Sequence, residues 1–199
     1  MANPRIRIHN TNLDALLGNV RGEVGEAVTT WILLRHLMAL SRELETEDIA
    51  KDMSNQHLAL IYALKQRIKN DLVLTLAGLA ERKIARATFH FIAQKLNSLH
   101  NEDESYRRYI EEHNLKKKRD REIAHREQPE DWPKQGDERI SYPVLTISLA
   151  KAIRTMKKFD AQVMGEDAYI QWRRMRSKRY DLTMPARAKY LLLGFLAGE

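Results

Sequence analysis

The run LALIYALKQRIKNDLVLTLAGL, residues 58–79, returns Leu58, Ile61, Tyr62, Leu64, Ile68, Leu72, Leu76 and Leu79 at mostly three- and four-residue intervals. That period gathers apolar side chains on one stripe of an α-helix, whereas a half-buried strand would alternate every second residue. The same spacing recurs on both sides. Upstream it begins at Leu13, Leu16, Leu17 and Val20 and resumes at Val28, Trp31, Ile32, Met38 and Leu40. Gly18, Gly22 and Gly25 interrupt it and predict a kink or a loop. Downstream, residues 87–99 place Phe89, Ile92, Ala93 and Leu96 on one stripe.

Asn101-Glu102-Asp103-Glu104 has the form of a capping box, with Asn101 as N-cap and Glu104 at the third helical position. It opens a helix through Tyr106, Tyr109, Ile110 and Leu115 into a basic run. Pro129 and Pro133 end that helix, because the residue before a proline is disfavoured in the α region. After a Gly136-Asp137 turn, residues 144–163 resume the helical spacing, and shorter helices are predicted over 167–179 and 185–196. Strand signals are confined to Arg5-Ile6-Arg7-Ile8 and Arg139-Ile140-Ser141-Tyr142. The expected fold is an all-α bundle of about five to seven helices. It forms a single domain with a core over residues 10–165 and a basic helical extension over 166–199.

The chain has 199 residues, enough to bury a sizeable core. Its 34 Lys and Arg against 27 Asp and Glu leave a net charge of +7, which favours an anionic partner. The absence of cysteine excludes disulfides, a thiolate metal site and a cysteine nucleophile. Seven histidines remain, without the spacing of a metal site, so neither a metal nor another cofactor is expected. There is no signal-like apolar run at the start, and Trp31-Ile32-Leu33-Leu34 is soon broken by Arg35 and His36. The expectation is a soluble, cytoplasmic protein without a membrane span.

The segment richest in chemistry is Arg119-Asp120-Arg121-Glu122-Ile123-Ala124-His125-Arg126-Glu127, preceded by Lys116-Lys117-Lys118. Arginine offers phosphate a planar fork of donors and stays ionised. Histidine exchanges a proton near neutral pH. Together such groups can hold a phosphodiester and move a proton. On a straight helix Arg119 and His125 stand about 120° apart around the axis and roughly 9 Å along it. A long arginine side chain, a distorted helix or a second subunit would be needed to bring them together. The bland alternative is a solvated charged face. A second match of this kind, Arg107 or Arg108 with His113, lacks supporting context and reads as helix surface.

Arg119-Asp120-…-Ile123-Ala124-His125 resembles the motif of the HEPN superfamily, in particular its abortive-infection and toxin-like ribonucleases. In those proteins an arginine precedes a histidine by a short variable gap, usually with a polar residue directly after the arginine. The helix order around the motif is similar over roughly residues 10–165. The resemblance implies a helical bundle that dimerises so that two motifs face each other, and a metal-independent endoribonuclease active in phage defence or toxin–antitoxin growth arrest. It further implies Arg119, Asp120 and His125 as the catalytic group and a cognate antitoxin as a partner. Tyrosine is absent two places after His125, where Glu127 stands, so the modification used by a nucleotidyltransferase-paired branch is not implied.

Lys116, Lys117, Lys118, Arg121 and Arg126 form a cationic band suited to the RNA backbone, or else a solubilising surface. The interleaved segment Trp172-Arg173-Arg174-Met175-Arg176-Ser177-Lys178-Arg179-Tyr180 could stack on bases, but Tyr169, Trp172 and Met175 have the spacing of core or dimer packing. His9, His36, His57, His90 and His100 read as structural or solvated, with His90 partly buried between Phe89 and Phe91. Two other function classes fit the same residues. One is a non-catalytic helical module binding RNA or nucleotide; the other is a protein-interaction adaptor.

Overall fold

α1 (Leu13–Thr46) runs unbroken through the three glycines that predict a kink or loop. Leu17, Val20, Val24, Ala27, Trp31 and Leu34 recur at alternating intervals of three and four and line its inner side. Gly18 and Gly22 lie on the opposite, exposed side. Each costs the helix about 1 kcal/mol relative to alanine without removing a core side chain, so burial of the seam prevails. The computed structural model describes residues 13–46, 55–82, 87–120 and 140–165.

α2 (Asn55–Leu79) forms the most extensive pairing in the molecule, against α1. Ile61, Leu72, Leu76 and Leu79 are buried there as the spacing predicts, but Leu58 and Tyr62 are exposed. Tyr62 follows Ile61 directly and so points about 100° away from it. Leu58 sits in the opening turns of α2.

α3 (Phe89–Leu96) ends at Asn97, whose left-handed backbone (φ 48°) closes the helix, and α4 (His100–Glu112) begins after Leu99. The capping box is therefore not formed. Asn101 lies inside α4, and Leu99, also left-handed at φ 58°, occupies the cap position with no side-chain hydrogen bond. Instead the amides of Glu102 and Asp103 donate to the carbonyl of Leu99 at 3.0 and 3.3 Å. The acidic residues then separate. Asp103 turns inward to His90, while Glu104 turns outward to Arg82 and Arg107.

His113 and Asn114 break the helix that was expected to continue into the basic run, and α5 (Leu115–Lys118) restarts it for one turn. α6 (Tyr142–Met164) buries Leu145, Ser148, Leu149, Ala152, Thr155, Met156, Phe159 and Asp160 along one face and touches α1, α2, α3 and α4. Pro143 suits its first turn, where a missing amide hydrogen loses no helical bond. Ile140 and Ser141 form no strand.

At the centre the Phe89 ring meets Tyr106 edge-on at 5.0 Å and stacks with Phe159 at 5.9 Å. Tyr106 donates its hydroxyl to the Leu76 carbonyl at 2.8 Å. That carbonyl lies where the last turn of α2 tightens, with Ala80 N–H donating to Ala77 and Glu81 N–H to Gly78. Burial pushes the Tyr106 phenol far above the usual tyrosine range. Arg21 on α1 pairs with the fully buried Asp160 on α6 at 2.6 Å.

The all-α class thus holds for the described residues, which contain six helices and no strand. No helix among them is long and apolar enough to cross a membrane. The possible strand at Arg5–Ile8, the Pro129 stop and the helices expected over 167–179 and 185–196 lie outside the described residues.

Candidate functional site

Glu81, the second residue after α2, is turned back toward α5 by the tightened end of its helix. There it forms an ion pair with Nη1 of Arg119. Arg119 is 7% exposed and Glu81 9%, so both charges are largely out of water. On the other side Asp120 accepts from Arg119 Nε at 2.8 Å and from Nη2 at 2.5 Å through one oxygen, Oδ1. One guanidinium is thus held between two carboxylates. The Glu81 contact is an ion pair but lies off the direction of a well-formed hydrogen bond, so Nη1 keeps an unused donor among the described residues.

The backbone explains why Arg119 points inward. Leu115 is fully buried, and Lys118, three residues on, shares its face of α5 and is 6% exposed. At Arg119 and Asp120 the coil widens into a π-type turn, which shifts side chains around the axis. Arg119 therefore follows Lys118 into the protein, while Asp120 stays about half exposed. The solvated charged face does not describe Arg119.

The expected cationic band is divided in the same way. Lys116 is exposed, Lys117 is half-buried and Lys118 is buried. Arg121, His125 and Arg126 lie outside the described residues. The structure brings Arg119 and Asp120 together; the distance from either to His125 is outside what it describes.

Sequence reading missed Glu81, which stands 38 positions before Arg119 and carries no local signal. It also missed the partner of His90. The Nδ1 of His90 lies 3.1 Å from Oδ2 of Asp103, and both side chains are mostly buried, as the flanking phenylalanines suggest for the histidine. The pair ties α3 to the first turn of α4. Arg107, one half of the second arginine–histidine spacing, is committed to Glu104 and Glu111. The hydrogen bond from Arg107 and the neighbouring arginines hold the Glu104 carboxyl below its ordinary range, against a smaller opposing effect of desolvation. Among the described residues no group of three or more His, Asp or Glu side chains could hold a metal ion. No protein-family model matches the chain, and no curated protein and no solved structure matches it either.

Proposed function

We propose that the chain is a metal-independent endoribonuclease of the HEPN type, working as a homodimer with its site at the subunit interface. What supports the reading is the Arg119–Asp120 pair, in which a neighbouring carboxylate orients an arginine through two of its donors. In the proposed reaction the ribose 2′-oxygen attacks the adjacent phosphorus, and His125 takes the hydroxyl proton. The bond to the 5′-oxygen breaks as that oxygen takes a proton from His125 of the partner subunit, leaving a 2′,3′-cyclic phosphate and a 5′-hydroxyl. Positioned proton transfer of this kind contributes about 10²–10⁴-fold. Arg119 stabilises charge on the phosphoryl oxygens, which requires its guanidinium, buried against Glu81 and Asp120, to turn toward the RNA strand. Lys116 and Lys117, with Arg121 and Arg126, capture the backbone, which makes binding strongly salt-dependent. Growth arrest in phage defence, restrained by a cognate antitoxin protein, is the setting that fits such an activity.

One observation favours a second reading. A guanidinium 7% exposed between two carboxylates is already neutralised and serves well as a strut between α2 and α5. The chain would then bind RNA or nucleotide without cutting it. The deciding experiment is cleavage of a single-stranded RNA by purified protein in EDTA, beside the His125→Ala and Arg119→Ala variants. Cleavage by the wild type alone, with cyclic-phosphate ends, supports the nuclease. Salt-sensitive binding without products, unchanged by His125→Ala, supports the binding module. An inactive wild type, or variants that cut equally well, overturns the nuclease reading.

A further inference from the structure

A hollow of about 340 Å³ lies between α4 and α6, lined by no residue of the Arg119 cluster. Asn101, Ser105, Arg108 and Glu112 line it from one stripe of α4, with Tyr109 beside them and Lys151 reaching in from α6. Neither Arg108 nor Lys151 makes a salt bridge among the described residues. Of the two acids at the rim, Glu104 is ion-paired with Arg107 and Arg82 and also acted on by Arg108, and Glu112 stands one turn beyond Arg108. Lys151 instead rests over the Tyr109 ring, 5.0 Å from its centre, and the His113 ring packs 4.2 Å from the same tyrosine.

We propose that this hollow is a subsite for one ribonucleotide unit, its phosphate held between Arg108 and Lys151 and its base against the Tyr109–His113 rings. The parts match the chemistry of that ligand. Two cations held in no salt bridge suit a phosphate, and Arg108, which also acts on the Glu104 carboxylate one turn away, adds a fork of donors. Aromatic rings accept any base by stacking. Glu112, exposed at the mouth, can accept a hydrogen bond from a ribose hydroxyl or a base amino group, which a bare anion would not supply. Asn101 and Ser105 add neutral partners.

The stripe from Asn101 to Glu112 rises roughly 16 Å along α4. It ends two residues before α5, whose exposed Lys116 belongs to the proposed RNA-capturing band. A strand seated in the hollow is thereby directed toward the Arg119 end of the molecule. In this respect the subsite rests on the ribonuclease reading and names where its substrate is held outside the reacting linkage. The second arginine–histidine spacing then has a use as a binding pair, Arg108 with His113, without catalysis.

The test measures binding of a fluorescent single-stranded RNA to the His125→Ala protein in EDTA, so that cleavage does not enter. Arg108→Ala with Lys151→Ala is compared with Arg35→Ala with Lys95→Ala, which removes the same charge from exposed positions elsewhere. The expected result is affinity roughly tenfold below that of the control. The slope of log K against log salt should fall by about 0.7–1.4, the loss of one to two phosphate contacts on a single strand. Adenosine monophosphate, titrated separately, distinguishes the sources. If it binds and loses binding in the Arg108–Lys151 variant while RNA does not, the unit is a free nucleotide; the reverse assigns the hollow to a strand. If both probes bind the Arg108–Lys151 variant as they bind the control, the proposal is overturned. Because no arm needs turnover, an inactive wild type would sink the nuclease reading and leave this result standing on its own.

Discussion

Tyr106 shows how one polar atom is accommodated in the core. Its hydroxyl meets the Leu76 carbonyl where α2 tightens, and its ring packs on Phe89. Tyr106→Phe should lower stability by about 0.5–1.5 kcal/mol, the usual net value of such a bond. The pH dependence has a definite sign. The folded phenol is held far above its ordinary value of 10.0, so its contribution is intact below that pH. It is lost as pH rises further and the unfolded chain ionises first. Melting temperatures measured from pH 8 to 11 should therefore fall more steeply for the wild type than for Tyr106→Phe; parallel curves would refute the linkage. Arg119 poses the opposite problem, a charge out of water. Removing Glu81 leaves that charge with one partner, and Glu81→Ala should cost about 3–5 kcal/mol in urea unfolding. A loss below about 1 kcal/mol would mean that the pair behaves as a surface ion pair.

At the scale of elements, α1 illustrates packing overriding local preference. Three glycines in eight positions argue against a helix, yet a seam of three-and-four spacing carries it through. An added methyl group at Gly22 would meet nothing within 4 Å, and the position is helical and exposed. Gly22→Ala should therefore raise stability by about 0.5–1 kcal/mol, read as a higher melting temperature. A decrease would mean that the hollow beside Gly22, lined also by Gly18 and Thr75, requires the missing side chain. The α1–α6 contact rests in part on Arg21 and Asp160, and Asp160→Ala should cost about 3–5 kcal/mol by stranding the arginine. The extents of α2 and α6 were readable because each buries a continuous stripe, so the period itself records the packing, whereas the unbroken run of α1 through its glycines was not. Nor was the start of α4. Asn101 and Glu104 carry the residue types of a cap, but the left-handed turns at Asn97 and Leu99 determine where α4 begins. A local pattern cannot report how little chain separates two helices.

For the molecule as a whole, the proposed nuclease requires two chains to complete a site. Arg119→Ala and His125→Ala proteins, each inactive alone, should regain part of the activity when mixed and allowed to exchange subunits. Sedimentation of the wild type should give twice the chain mass. A monomer, or a mixture as inactive as its parts, would remove the composite site. The all-α class, the stripes of the long helices and the pairing of adjacent Arg119 and Asp120 were already encoded in residue order. Hydrophobic periodicity and nearest-neighbour chemistry act over a few residues and survive in one dimension. Tertiary structure alone decided that Glu81 would meet Arg119, that Asp103 would meet His90, and that Arg108 and Lys151 would border one hollow. It also turned Lys118 inward while leaving Lys116 in water. Those outcomes depend on how helices distant in the chain are set against one another, and the charges involved look the same in the sequence whether they end in solvent or in the core.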